Sequence, residues 1–208
     1  MCWDTAAVHD LLSETGSDQT LRSTERLLEK SDLLPEALKV EQVRDEMGRA
    51  PIAAVAESLE AEARRKRTLS LVVQIHSSSR AGLVLMVNDG RMGRRWIYCD
   101  AEQLDSASLL HGLDAIVGAF AGVGRATPKS VLLWPHGEIT GLCRELVAER
   151  KTHDLELPCG ARARMATLAY QSVQTATRYD SVVPRSTPAS GGADGVLSHL
   201  DRLEAESI

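Results

Sequence analysis

The chain has 208 residues, 43% of them hydrophobic but only 3% aromatic, with four cysteines and a formal net charge of −5. That length admits one domain with additions or two small ones. No run of 18 apolar residues suggests a membrane-spanning helix, and the acidic N-terminus lacks the basic and apolar regions of a secretory signal. Cys2, Cys99, Cys143 and Cys159 are too far apart for zinc-finger spacing and too few for a disulfide scaffold. The expectation is therefore an intracellular, reducing compartment, with cytoplasm, nucleus and organelle matrix undistinguished, and no membrane partner.

The net charge conceals an asymmetry. Residues 1–63 carry 6 Lys/Arg against 14 Asp/Glu, whereas residues 64–180 carry 16 against 11. An acidic segment joined to a basic one predicts partners of opposite sign, or attraction between the two segments themselves.

Taken in order, residues 1–67 read as a helical extension. Leu21, Leu27 and Leu28 suit a short amphipathic helix ending near Lys30. Pro35 fits the first turn of a second helix over Glu36–Met47, with Gly48 as its stop. Pro51 opens a third, whose stripe is Ile52, Val55, Leu59 and Ala63 and whose last turn is Arg64-Arg65-Lys66-Arg67. From Leu69 the pattern changes to strands. Leu71–Ile75, Gly82–Val87 and Arg95–Cys99 are three antiparallel strands, the second and third joined across Asn88-Asp89-Gly90. Asp105 or Ser106 caps a helix with Leu109, Leu113, Ile116, Val117, Phe120 and Val123 inward, and Ala115, Gly118 and Gly122 allow close packing. Val131–Trp134 lacks polar alternation and reads as a central strand. A helix over Glu138–Lys151, a short strand Leu155–Leu157 and a last helix over Arg162–Arg178 complete a domain spanning 68–180. Strands four and five are expected parallel to strand one. Residues 181–208 are rich in Ser, Pro and Gly and read as a flexible tail.

The element order β-β-β-α-β-α-β-α over residues 69–180 resembles the ribonuclease H-like superfamily. The segments Ile75–Gly82, Leu110–Val117, Leu132–Gly137 and Arg162–Ala169 are similar to its first strand, first helix, fourth strand and last helix. The resemblance implies an α/β fold: a five-stranded mixed sheet, three strands antiparallel and then two parallel, flanked by helices and preceded here by the helical extension. It also implies four carboxylates holding two Mg²⁺ ions about 4 Å apart. At those positions this chain has His76, His111 (with Asp114 one turn on), His136 and Ala166. Magnesium asks for oxygen ligands, so the resemblance points to a degenerate site, no catalytic residues and no cofactor. The alternative is a metal-dependent nuclease: three imidazoles and a water make a zinc pattern, and a displaced alignment would offer Mg²⁺ Asp114 and Glu138.

The function expected is a non-catalytic interaction module in a larger assembly, possessing a protein partner bound through the N-terminal helices. The competing expectation is RNA or DNA binding through backbone charges, using Arg80, Arg91, Arg94 and Arg95 on or beside the hairpins and Arg162 and Arg164 nearby. Trp96 and Tyr98 alternate on one strand and could stack on bases, although strand aromatics usually pack. Ser77-Ser78-Ser79 lacks a nucleophile elbow and reads as a polar turn.

Overall fold

Two glycine-containing turns set up the centre of the sheet. Gly82 (φ 73°) and Gly90 (φ 71°) take the left-handed backbone that these reversals need. In the computed structural model, which describes residues 1–90, 93–99, 104–120 and 129–171, three antiparallel strands result: β2 (Leu69–Ser78), β3 (Gly82–Asn88) and β4 (Arg94–Cys99). A two-residue strand, β1 (Trp3–Asp4), pairs antiparallel with β4. On the other side of β2 lies β5 (Ser130–His136), parallel to it with Leu71 beside Leu133. Next come β7 (Arg162–Met165), parallel to β5, and β6 (Asp154–Glu156), an antiparallel edge. The open sheet has seven strands in the order β1-β4-β3-β2-β5-β7-β6.

Two expectations for this side of the sheet need correction. The segment around Leu155 is not the strand parallel to β5 but an edge antiparallel to β7. Residues 162–165, expected to open the last helix, are themselves the parallel strand, followed by a 3₁₀ turn over Ala166–Ala169. Arg-Ala-Arg-Met has good helix formers, but pairing with the apolar β5 overrides that weak preference. The rest of that helix, the tail 181–208 and the expected features at Arg91, Gly122 and Val123 lie outside the described residues.

Alternation sends the strands' apolar side chains to both faces. One face carries Leu71, Val73, Leu85, Val131, Leu133 and Met165. It is covered by α4 (Ser106–Ala119) through Leu109, Leu113, Ile116 and Val117, and by α5 (Ile139–Arg150) through Ile139, Cys143 and Leu146. The α4 helix approaches closely at Gly112, where an added Cβ would sit 2.7 Å from Leu85 Cδ2 and 2.9 Å from Ile97 Cδ1.

The other face carries Val72, Val84, Met86, Trp96, Leu132 and Trp134, and here the N-terminal segment is the covering layer. Three helices build it: α1 (Thr5–Glu14), α2 (Leu21–Lys30) and α3 (Ala53–Lys66). Local capping fixes their starts. Asp4 accepts from the Ala7 N–H at 2.7 Å, and Thr20 and Ser23 form a reciprocal capping box. Leu28 and Leu34 pack on Trp96 and Met86, whereas Leu59 and Ala63 pack on Trp134 and Val72.

The helix expected over 36–47 is absent. Only Val40–Gln42 forms a 3₁₀ turn, and the remainder crosses the sheet in irregular form. Outside that turn, three of its backbone groups bond to β2, to β5 and to the residue after β5. The Glu36 carbonyl accepts from Gln74 Nε2 at 3.2 Å, the Arg44 N–H donates to His136 Nδ1 at 3.0 Å, and the Arg44 carbonyl accepts from the Gly137 N–H at 2.8 Å. These partners satisfy groups that a helix would have paired internally.

The charge asymmetry closes on itself. Arg94, only 12% exposed, reaches Glu29 at 2.6 Å and Glu25 at 3.7 Å on α2. Arg95 pairs with Asp4 and stands 5.0 Å from the Phe120 ring centroid. Arg164 meets Glu62 of α3 at 3.4 Å, and Arg144 of α5 meets Glu46 and Asp45. Residues 1–172 form one compact unit.

Gly112→Val tests the close approach of α4. A Cβ and its two methyl groups against Leu85 and Ile97 should cost about 2 kcal/mol by overpacking, read as a lower urea midpoint at unchanged slope.

Candidate functional site

In sheets with parallel strands, ligands usually meet the chain at the carboxyl ends of those strands, where the order of connection reverses. Here that point lies between β2 and β5, and its side chains are Gln74, His76 and His136 on the face of the N-terminal helices. None is a carboxylate, and the N-terminal segment engages each. Gln74 is buried and bridges the Glu36 carbonyl and Asn88 Nδ2. His76 Nε2 lies 3.0 Å from Asp32 Oδ1, while Asp32 Oδ2 accepts from both the Ser79 N–H (2.9 Å) and Ser79 Oγ (2.8 Å). Those Ser79 bonds hold the Asp32 carboxyl below its ordinary value, helped by His76.

Ser79, Asp32 and His76 invite comparison with a nucleophilic triad, but the order is wrong. The aspartate stands between serine and histidine, so the imidazole has no path to the hydroxyl proton. Ser78 is occupied as a turn acceptor for the N–H groups of Arg80 and Ala81.

His136 accepts the Arg44 N–H through Nδ1, so it is the neutral tautomer with its proton on Nε2. Burial lowers its proton affinity, and the Arg44 charge lowers it further. Beside it, Asp45 is fully enclosed. Burial alone would raise its carboxyl, but the Arg49 side chain and the Arg49 and Met47 N–H groups bring it below the usual carboxylate range. Tyr170 completes the corner by donating to the Pro135 carbonyl at 2.5 Å.

The remaining sequence-predicted positions lie elsewhere. His111 is exposed on α4, on the opposite side of the sheet from His76 and His136. Asp114, also on α4, accepts from the Cys159 N–H at 2.7 Å and so anchors the turn before β7. Ala166 is buried in the same cluster as Trp134 and Val43. Among the described residues no three His, Cys, Asp or Glu side chains are grouped to hold a metal ion. The donor set at the carboxyl ends does not fit the two Mg²⁺ ions that the resemblance implies, because the strands offer imidazoles and an amide where hard cations need carboxylates, and the nearby Asp32 and Asp45 are taken up by Ser79, His76 and Arg49. Cys143 is no nucleophile, since complete burial pushes its thiol up to about 12.

Of the six arginines considered for nucleic acid, Arg94 and Arg95 are committed to internal ion pairs, and Arg91 lies outside the described residues. Arg80 is exposed on the β2–β3 turn. Arg162 and Arg164 lie on β7 and pair with Glu156 and Glu62. Among the described residues, adjoining clefts open at the amino ends of the parallel strands. A cleft of about 510 Å³ lies between α3 and the start of β2, with Glu60, Arg64, Thr68, Ser70 and Asp89 on its walls. A second of about 220 Å³ adjoins it between α3 and β5–β7, where Lys66, Thr68, Ser130, Arg162 and Arg164 face one space. Glu60 is structural here, because its Oε1 accepts from Ser70 and from Trp134 Nε1, each at 2.8 Å.

No protein-family model, curated protein or solved structure matches the chain.

The His136 contact makes stability depend on pH. The folded imidazole binds its proton more weakly than an unfolded one of pKa about 6.5. Its contribution is therefore complete above that value and lost as the pH falls through it toward the lower folded-state value. The urea midpoint should drop between about pH 7 and pH 5, a window above the lowered aspartates. His136→Asn keeps an acceptor without a titration and should flatten that drop; equal slopes in both proteins would contradict the assignment.

Proposed function

We propose that this chain is a non-catalytic interaction module with a ribonuclease H-like core, acting as a subunit of a larger assembly. The observation that carries the reading is the state of the carboxyl ends of β2 and β5. His76 and His136 stand where that chemistry would need carboxylates, and both are tied to Asp32 and Arg44 of the N-terminal segment. Support for the core comes from the five contiguous strands β4-β3-β2-β5-β7, of which β3 alone runs against the others. A chain that lays its own backbone over this end commits those side chains to internal partners.

Support for a protein partner comes from the outer side of the N-terminal layer. The inward faces of α2 and α3 are spent on the sheet, yet Leu11 of α1 and Leu21 and Leu27 of α2 remain exposed. Large apolar side chains exposed on neighbouring helices suit association with another protein more than solvation.

Two measurements test the reading. Incubated with an RNA–DNA hybrid and Mg²⁺, Mn²⁺ or Zn²⁺, the protein should cleave no faster than a protein-free control. Cleavage that disappears in His136→Ala or Asp114→Asn would instead support the metal-dependent nuclease. Purified from its source cells at high salt, the wild-type chain should elute with a stoichiometric protein partner, and Leu11→Asp with Leu27→Asp should release it. Elution of the wild type as a lone monomer would contradict the module.

A further inference from the structure

We infer that the rim formed by the amino ends of β2, β5 and β7 with the last turn of α3 is a binding track for the phosphodiester backbone of a nucleic acid. This track lies at the end of the sheet away from His76 and His136, and it is independent of the hairpin arginines and of the ribonuclease H-like reading.

The argument starts from four successive cations. Arg64, Arg65 and Lys66 fill the last turn of α3, and Arg67 is its left-handed C-cap. One or two cations complement the carboxyl end of a helix, but here all four are exposed and, among the described residues, only Lys66 has an ion-pair partner, Glu62 at 2.6 Å. The fold then adds cations that are distant in sequence. Thr68 Oγ1 and Ser130 Oγ lie 3.0 Å apart, which brings the start of β2 against the start of β5. The Arg162 N–H donates to the Lys129 carbonyl, which brings the start of β7 to the same edge. Lys129 is exposed, and it lines a third cleft of about 410 Å³ with Ser130 and Arg162.

The clefts share their walls. Thr68 borders the first and second, and Ser130 and Arg162 border the second and third. A continuous surface therefore runs from Arg64 past two hydroxyls to Lys129. Of the acids along it, Glu62 is paired with Lys66 and Arg164, Glu156 is paired with Arg162 and Glu60 accepts from Ser70 and Trp134, whereas Asp154 on the second cleft makes no ion pair with a described residue. Arg64, Arg65, Arg67 and Lys129 make no ion pair with any described residue. On the first cleft's far wall Glu41 and Asp89 are acidic, so the track turns away from Lys39.

An elongated row of guanidinium and ammonium groups broken by hydroxyls suits a repeating phosphate ligand, for which backbone contacts are sequence-independent. A lipid surface fits less well. Among the described residues the exposed large apolar side chains are Met1, Leu11, Leu21, Leu27, Met47, Ile52, Tyr98 and Leu168, and none lines these clefts.

Fluorescence anisotropy with labelled single-stranded and duplex oligonucleotides, over roughly 50 to 200 mM salt, tests the track. The full chain should bind, with affinity falling as salt rises. Arg64→Ala/Arg65→Ala/Lys129→Ala should reduce the slope of log affinity against log salt by about 2 on single strands, at about 0.7 for each lost contact. Arg80→Ala, on the distant turn, should leave the slope unchanged, and circular dichroism checks that each variant is folded. The single variants Arg65→Ala and Lys129→Ala, each expected to lower the slope by about 0.7, keep the test decisive if the triple variant misfolds. Three results would overturn the inference: no binding by the wild type at low salt, an unchanged slope in the folded variants, or binding to phosphatidylserine vesicles without binding to either oligonucleotide.

Discussion

A mixed sheet with apolar side chains on both faces has to be covered twice, and the whole molecule is arranged around that requirement. The α4–α5 layer covers Leu71, Val73, Leu85 and Leu133. Val72, Met86, Trp96 and Trp134 on the reverse face would meet water if the N-terminal helices were elsewhere. A chain so poor in aromatics places all three of its tryptophans, Trp3, Trp96 and Trp134, on this face. The N-terminal region is thus the second half of a three-layer structure.

The same layer determines what the sheet's carboxyl ends can do. Segment 32–46 runs over them and supplies Asp32, the Glu36 carbonyl and both backbone groups of Arg44 as partners. Buried polar groups are costly unless paired, and here Gln74, His76 and His136 are paired with the segment that covers them. The acidic bias of the first 63 residues acts in the same direction, bringing Asp4, Glu25, Glu29, Glu46 and Glu62 to Arg95, Arg94, Arg144 and Arg164. At the opposite end, Arg64, Arg65, Arg67 and Lys129 lie exposed with no ion pair to a described residue.

Much of this was legible in the residues. The runs at 71–75, 82–87, 95–99 and 131–134, and the stripes of α3, α4 and α5, mark their elements because local pattern and tertiary placement agree, whereas in α2 only Leu28 of the expected stripe is buried. The exceptions share a cause. Residues 36–47 and 162–165 have helix-compatible composition, but distant strands claim their backbone groups: Gly137 and Gln74 in one case, β5 in the other. No local pattern encodes a partner 92 residues away, as for Arg44 and His136. β1 is too short to signal at all. The candidate site was less legible still. The substitution of histidine for carboxylate is visible at His76 and His136, but that Asp32 and Arg44 meet them, and that His111 lies across the sheet, depends on the fold.

The most direct test is native-state hydrogen exchange on the full chain, comparing the amides of Arg44 and α3 with those of β2 and β5. If the N-terminal layer is half of the core, the two sets are lost in one cooperative opening and show the same free energy, near that of global unfolding. Exchange of Arg44 and α3 at far lower free energy, with β2 and β5 still protected, would show an appendage that opens alone and would contradict the account.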